Sequence, residues 1–360
     1  MDIMEQIVAA TKGNLFLPFL AVMSALIIGA IIMAVAGYNP AVAYQAMLLG
    51  AFGSKESLAE TLLKTVPLLL TGVGVAIAFK GRSFNIGAEG QFYIGALAVS
   101  WLGVAGKGIP AFFFIPLLLL VAFIAGALYG ALPGYFKARV GASEVVTTVM
   151  LNSIAIQLVS YIVQGPLQEP RHFYPETAEI LDTAKLGVIL PGTRLHAGLL
   201  LAILVAILCY LLLYKTVWGY QIRAVGANTE AAEYAGINVK GNIVMTMALS
   251  GGLAGLAGAV EVMGVTWKLY QNISPGYGYT AIAVALLARE NPLAVILSAL
   301  LFGALTTGSN MMARSVNVPS VLASLVQALV IFFVVGYAVY DYKLKPNHKK
   351  ISAGEDNVHA

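Results

Sequence analysis

The chain has 360 residues, 59% hydrophobic and 11% charged, and its 21 basic and 17 acidic side chains leave a formal net charge of +4. Soluble domains carry about 25% charged residues, so a water-soluble globule is excluded and an integral membrane protein is indicated. The small basic excess sits in short loops and near the C-terminus, the pattern of the positive-inside rule, and needs no nucleic acid to explain it.

Residues 1–14 precede an apolar run at 15–37. Ala34-Val35-Ala36 resembles a signal cleavage site, but the run exceeds the roughly 7–15 apolar residues of a signal peptide and suits the ~20 needed to cross a bilayer. It is expected to be a retained first span after a cytoplasmic N-terminus. Nine more spans are predicted, at 62–79, 84–103, 110–133, 144–164, 196–214, 242–267, 277–290, 292–312 and 318–341. The third and eighth are Gly-rich and polar at one end, which marks them as broken or partly spanning. About ten transmembrane helices therefore make up an all-α membrane domain at 15–341, since helices satisfy their own backbone in lipid.

Between the spans, residues 165–195 form a long loop with Pro166, Pro170, Pro175 and Pro191, expected to be extracellular. Residues 215–241 form a loop of helix-compatible composition, expected to be cytoplasmic, and 342–360 a polar cytoplasmic tail without a packable face. With the tail inside, 13 of the 21 basic residues fall on the cytoplasmic side, which favours both termini inside. Small residues recur at helix-packing spacing in Gly126, Gly130 and Gly134, and in Gly251, Gly255 and Gly258. Static close packing is the preferred reading of these stripes, and gliding interfaces the other.

Polar groups inside such spans must face a cavity, a partner or a pathway. Asn85, Glu89 and Gln91 open the third span, and in a helix Asn85 and Glu89 would share a face. Two readings stand for them: a hydrophilic path, or an internal hydrogen-bonded brace. Glu144, Thr148 and Asn152 follow at i, i+4 and i+8, and Ser153, Gln157, Ser160 and Gln164 extend a polar stripe along the same span. Its length favours a solute pathway over interhelical bonding. Glu261 stands alone in the seventh span, and Arg289-Glu290 before Asn291-Pro292 marks a turn. In the 215–241 loop, Asn228 can cap a short helix over 229–235 and Gly236 can end it, a docking knob for a soluble partner.

Chemistry is poorly represented. Cys209 is the lone cysteine, and His172, His196, His348 and His359 have no metal-ligand spacing, so no metal site and no cofactor of this chain is expected. A phosphate-binding loop is missing too, because Gly106-Lys107 is followed by Gly108 and Trp101 occupies the first glycine's place. No nucleophile elbow or zinc-hydrolase motif is present, and an enzyme reading has no residues to stand on.

Four segments carry a resemblance: Phe84-Asn85-Ile86-Gly87-Ala88-Glu89-Gly90-Gln91, the run from Gly141-Ala142-Ser143-Glu144 to Leu151-Asn152, the loop from Arg223-Ala224 through Gly226, Asn228, Ala231 and Ala232 to Gly236-Ile237, and Gly276-Tyr277-Gly278-Tyr279-Thr280-Ala281. Together they resemble the permease subunits of ATP-binding-cassette importers of the simple-sugar and nucleoside class, and the Asn-Ile-Gly-Ala-Glu-Gly-Gln version is nearer the nucleoside systems. The resemblance implies a type II importer fold, ATPase coupling through Arg223, Ala224, Gly226, Asn228, Ala231, Ala232 and Gly236, and a path lined by residues such as Asn85, Glu89, Gln91, Glu144, Thr148, Asn152 and Glu261. It implies as partners a separate ATPase that binds the ATP, a second and different permease chain, and an extracellular substrate-binding lipoprotein, all at a bacterial plasma membrane. One departure is Ala288-Arg289-Glu290, where many relatives carry Gly. The rival readings are a simple-sugar permease and an ion-coupled secondary transporter using Glu89, Glu144 and Glu261.

Overall fold

A computed structural model describes residues 16–344, and the named elements within them are all helices, accompanied by three isolated β-bridges. In chain order they are α1 (Phe16–Val35), α2 (Pro40–Phe52), α3 (Lys55–Lys80), α4 (Ala88–Ala105), α5 (Ala111–Val140), α6 (Glu144–Gln164), α7 (Gly198–Lys215), α8 (Val217–Ala227), α9 (Thr229–Tyr234), α10 (Val239–Glu261), α11 (Tyr277–Leu287), α12 (Pro292–Ser315) and α13 (Ser320–Leu344). A short 3₁₀ turn occupies Asp182–Ala184, and a wider π turn, Val262–Thr266, prolongs α10. Six of the described helices are long and apolar enough to cross a membrane: α3, α5, α6, α7, α10 with its π turn, and α12. The N-terminus at 1–14 and most of the tail expected at 342–360 lie outside the described residues.

Helices cover all ten expected apolar runs, with displaced ends that have local causes. α3 begins at Lys55 and not at 62, because the Ser54 hydroxyl accepts from the Ser57 N–H at 3.1 Å and caps it there. α4 begins at Ala88 and not at 84. Asn85 Oδ1 accepts from the Gly87 N–H at 2.9 Å, a local turn that competes with helix, so Asn85 and Glu89 do not share a helical face. α2 was not expected at all. Asn39 caps it, accepting from the Ala41 N–H at 3.0 Å, Pro40 starts it, and it packs on α12 so closely that a Cβ at Gly308 would lie 2.4 Å from the Met47 carbonyl oxygen.

α3 and α10 form the centre. α3 buries an unbroken run from Thr65 to Ala78, and α10 one from Ser250 to Glu261. The two glycine stripes meet each other. A Cβ at Gly126 would lie 2.4 Å from the Gly251 carbonyl oxygen, and one at Gly255 2.5 Å from that of Ala122. α5 and α10 therefore touch backbone to backbone, which is how small residues drive helix association where lipid supplies no hydrophobic contrast.

The chain ends of these helices sort onto two faces. On one lie the end of α3, the α5–α6 turn, α8 and α9, and the α11–α12 turn. Lys80 and Glu290 pair there at 3.6 Å, and Lys137 Nζ reaches the Arg82 carbonyl oxygen at 2.9 Å. On the other lie the start of α3, the end of α4, residues 165–197 and the segment after the π turn. Arg194 grips both oxygens of Glu60 at 2.9 Å, and the Ile180 N–H donates to the Trp267 carbonyl at 2.9 Å. The long loop is thus held to the helix ends, with the Leu181 N–H on the Gly103 carbonyl at 3.0 Å and Lys268 on Glu176 at 2.8 Å. Its hydrogen bond to Glu176 is the main reason the Lys268 ammonium titrates above its ordinary value.

Candidate translocation and coupling sites

One helix in the centre is too short to cross, and another begins after an unwound stretch. α11 has 11 residues, a rise of about 15 Å, half a hydrocarbon core. α4 is preceded by the unwound segment 81–87, and α11 by the unwound segment 267–276, which descends from the opposite face. The two breaks meet. Gly278 at the start of α11 lies against Glu89 at the start of α4, so closely that a Cβ on Gly278 would come within 2.2 Å of the Glu89 nitrogen.

Glu89 is 2% exposed and its Oε2 accepts from the Gly278 N–H at 2.7 Å. The Ser274 hydroxyl accepts from the Tyr277 N–H at 3.0 Å, at the start of the same helix. The carboxylate therefore sits in the first turn of two helices at once, where unpaired N–H groups and the aligned peptide dipoles favour a negative charge. Around it the sequence-named amides form two hydrogen-bonded sets. Asn85 Nδ2 donates to Gln91 Oε1 and to Ser250 Oγ, both at 2.8 Å, and Gln91 Nε2 returns a bond to Asn85 Oδ1 at 3.1 Å. Asn152 Oδ1 accepts from the Gly90 N–H at 2.8 Å, while its Nδ2 donates to the Ile86 carbonyl at 2.9 Å and to Tyr279 Oη at 3.4 Å. Asn85, Gln91, Thr148 and Asn152 are each at most 1% exposed. In this structure the two sets tie unwound backbone to α4, α6 and α11, as buried irregular backbone in a membrane protein requires.

The two remaining path candidates are elsewhere. Glu144 lies at the first face, paired with Lys137 at 2.7 Å and accepting from the Phe84 N–H at 3.4 Å. Arg82, Phe84, Lys137, Glu144, Val225 and Thr229 contribute to the wall of a cavity of about 300 Å³ behind the α8–α9 corner. Glu261 is at the far end of α10, 5% exposed, and interacts electrostatically with Lys64, Glu60 and Arg194. The carboxylates of Glu89, Glu144 and Glu261 thus belong to three separate settings. The stripe on α6 also divides: Thr148 and Asn152 point into the protein, while Ser153, Gln157 and Gln164 are exposed.

In the cytoplasmic-loop candidate, Asn228 caps α9 as expected, Oδ1 accepting from Glu230 N–H at 3.0 Å and Ala231 N–H at 3.1 Å. Gly236 ends it at φ +80°, a conformation glycine adopts without strain. The chosen residues do not act alike. Ala231 and Gly236 are exposed, but Ala232 is 4% exposed, and Arg223 turns inward with its guanidinium over the Tyr214 ring at 5.2 Å. Gly226 lies against α3, where a Cβ would come 1.9 Å from the Lys80 carbonyl oxygen. The side chain that projects from α9 is Tyr234, 95% exposed, with Glu230 and Glu233 exposed beside it. The sequence reading passed over Tyr234, although an aromatic in the last turn of a polar capped helix is a visible signal. The departure at Arg289 and Glu290 has a backbone reason: both sit at positive φ, 51° and 61°, where glycine is the ordinary occupant. Among the described residues no His, Cys, Asp and Glu group could hold a metal ion.

Residues 57–335 match the family model described as branched-chain amino acid transport system / permease component. The chain belongs to this permease family. It is 38% identical over 334 residues, 91% of its length and 95% of the relative's, to the guanosine ABC transporter permease protein NupP of Bacillus subtilis. It is 33% identical over 351 residues, 95% of its length and 96% of the relative's, to the nucleoside ABC transporter permease protein NupB of Lactococcus lactis. The glucose ABC transporter permease protein TsgB13 of Haloferax volcanii is 35% identical over 328 residues, 88% of this chain and 86% of that one. No solved structure matches the chain. A multi-pass membrane permease, and not an enzyme, is what the family and the apolar helices together describe.

Proposed function

We propose that this chain is the membrane permease subunit of an ATP-driven nucleoside importer. The observation that carries the reading is near full-length similarity to permeases named for guanosine and for nucleosides, at 38% and 33% identity. The permease is read as a type II importer subunit of about ten transmembrane helices in a bacterial plasma membrane, both termini cytoplasmic. A second, different permease chain would complete the path, since similarity extends at 29% identity to a further nucleoside permease, NupC, from the same organism as NupB.

In this reading α8 and α9 face the cytosol, and α9 enters a cleft of a separate ATPase that binds the ATP. Its projecting Tyr234 and acidic Glu230 and Glu233 suit that task. Motion of α9 passes through Gly226 into the Lys80 backbone and along segment 81–87 to the Glu89–Gly278 contact, with no flexible side chain intervening at the first step. The extracellular face, held together around 165–195, receives the substrate-binding lipoprotein. Asn85, Glu89, Gln91 and Asn152 hold the break between α4 and α11, and the path for solute runs alongside them.

The test is uptake of radiolabelled nucleoside into proteoliposomes containing this chain, its partner permease and the ATPase. Uptake that requires ATP supports the reading. Uptake by this chain alone on an ion gradient would overturn it in favour of a secondary transporter. A sugar reading has one specific support, the 35% identity to the glucose permease, and glucose uptake in place of nucleoside uptake in the same vesicles would select it.

A further inference from the structure

We infer that the ring of Tyr279 is a stacking station for the base of the solute, positioned by Asn152, at the point where the two helix breaks meet; the inference rests on the nucleoside reading above. Tyr279 is in the first turn of α11, one residue after Gly278, and is 46% exposed. Its depth follows from α6. Asn152 lies eight residues beyond Glu144, a rise of about 12 Å in a helix of 21 residues and about 30 Å. The phenol is therefore well inside the hydrocarbon layer, and an exposed polar ring there needs something other than lipid to face.

The exposed polar side chains further along α6 and on the segment before α11 carry no charge, while Val145 and Val149 are exposed nearer Asn152. Ser153, Gln157 and Gln164 on α6 and Gln271 on the descending segment are exposed, and Gln164 and Gln271 both donate to Ser160 Oγ, at 2.9 and 2.8 Å. The next ridge of α6, Val146, Met150, Ile154 and Leu158, is exposed and wholly apolar, a composition that suits hydrocarbon. Amides and hydroxyls both donate and accept, so they match a neutral, hydrogen-bond-rich solute and give no advantage to an anion or a cation. An aromatic face adds what a base needs and a sugar does not, because every base has a π-face, a purine the larger one. Asn152 is locked by Gly90 and Ile86, and its remaining contact, 3.4 Å to Tyr279 Oη, sets the ring's attitude in advance.

The assembled importer tests this with Tyr279→Phe, Tyr279→Leu and wild type, measuring guanosine and uridine uptake at equal amounts of protein in the membrane. Phe keeps the π-face but loses the contact to Asn152 and is expected to fall about threefold, while Leu should lose about tenfold and change the guanosine-to-uridine ratio. A merely structural role would lower both solutes in proportion, and that result, or wild-type uptake by Leu, overturns the proposal. Where the Leu chain fails to reach the membrane, a Tyr279→Cys, Cys209→Ala chain decides, since Cys209 is the lone native cysteine. A hydrophilic maleimide should label Cys at 279 and guanosine should slow the labelling; no labelling, or labelling indifferent to guanosine, overturns the proposal. A wild-type importer that moves glucose and no nucleoside defeats the functional reading itself, which is a different failure.

Discussion

Glu89 and Gly278 are 189 residues apart in the chain, and the carboxylate of one accepts the backbone N–H of the other at 2.7 Å. The bond joins the first turns of α4 and α11, two helices that run from this junction to opposite faces of the protein. Each helix start carries about half a positive charge from its aligned peptides, and one buried carboxylate answers both. Discontinuous helices in transporters often aim such starts at a solute; here a side chain of the protein itself accepts from the start of α11.

Removing that acceptor should loosen the junction. Glu89→Ala leaves the Gly278 N–H buried and unsatisfied, and is expected to lower stability by about 1–3 kcal/mol. Glu89→Gln keeps an acceptor oxygen, so it should lose less. Thermal unfolding of both variants in detergent checks the order, and a Gln variant less stable than Ala would refute the bracing role.

Gly226 offers a direct test of the link between the cytoplasmic corner and α3. An added Cβ would meet the Lys80 carbonyl oxygen at 1.9 Å, and backbone must move. Gly226→Ala is expected to cost about 1–3 kcal/mol by overpacking. It should also reduce ATP-dependent uptake more than it reduces ATPase binding, measured side by side by uptake assay and co-purification.

The two alanines of α9 are expected to separate. Ala231 is exposed, so Ala231→Glu should leave stability within about 0.5 kcal/mol and weaken ATPase binding. Ala232 is 4% exposed, and Ala232→Glu should destabilise α9 itself by burying a charge. Tyr234→Ala belongs with the first kind: unchanged thermal stability of the permease, weaker capture of the ATPase on co-purification.

The glycine contact between α5 and α10 should be the least tolerant packing site. Gly255→Leu places a side chain where even a Cβ would stand 2.5 Å from the Ala122 carbonyl oxygen. The expected outcome is failure to accumulate in the membrane, or a melting temperature well below wild type, whereas Gly187→Ala, with nothing within 4 Å, should be close to neutral.

Much of this was legible in the chain. Apolar runs long enough to cross a bilayer announce their helices because lipid leaves the backbone no other partner. Asn228 and Gly236 announced α9 because caps are local chemistry. The α2 helix escaped because its apolar stretch is short and its burial comes from α12, through the contact of Met47 with Gly308. Asn85 looked helical by spacing, but its amide closes a turn on Gly87 instead.

Composition and local pattern alone determined that the chain lives in a membrane, roughly where its helices lie, and that polar side chains are concentrated in a few of them. Both follow from forces that act within about twenty residues, namely apolar transfer and backbone hydrogen bonding. Which polar group answers which was decided only by the tertiary arrangement. The partners of Glu89, Asn152 and Gly226 come from segments tens to hundreds of residues away, and hydrogen bonds and close contacts depend on distances that no local pattern encodes.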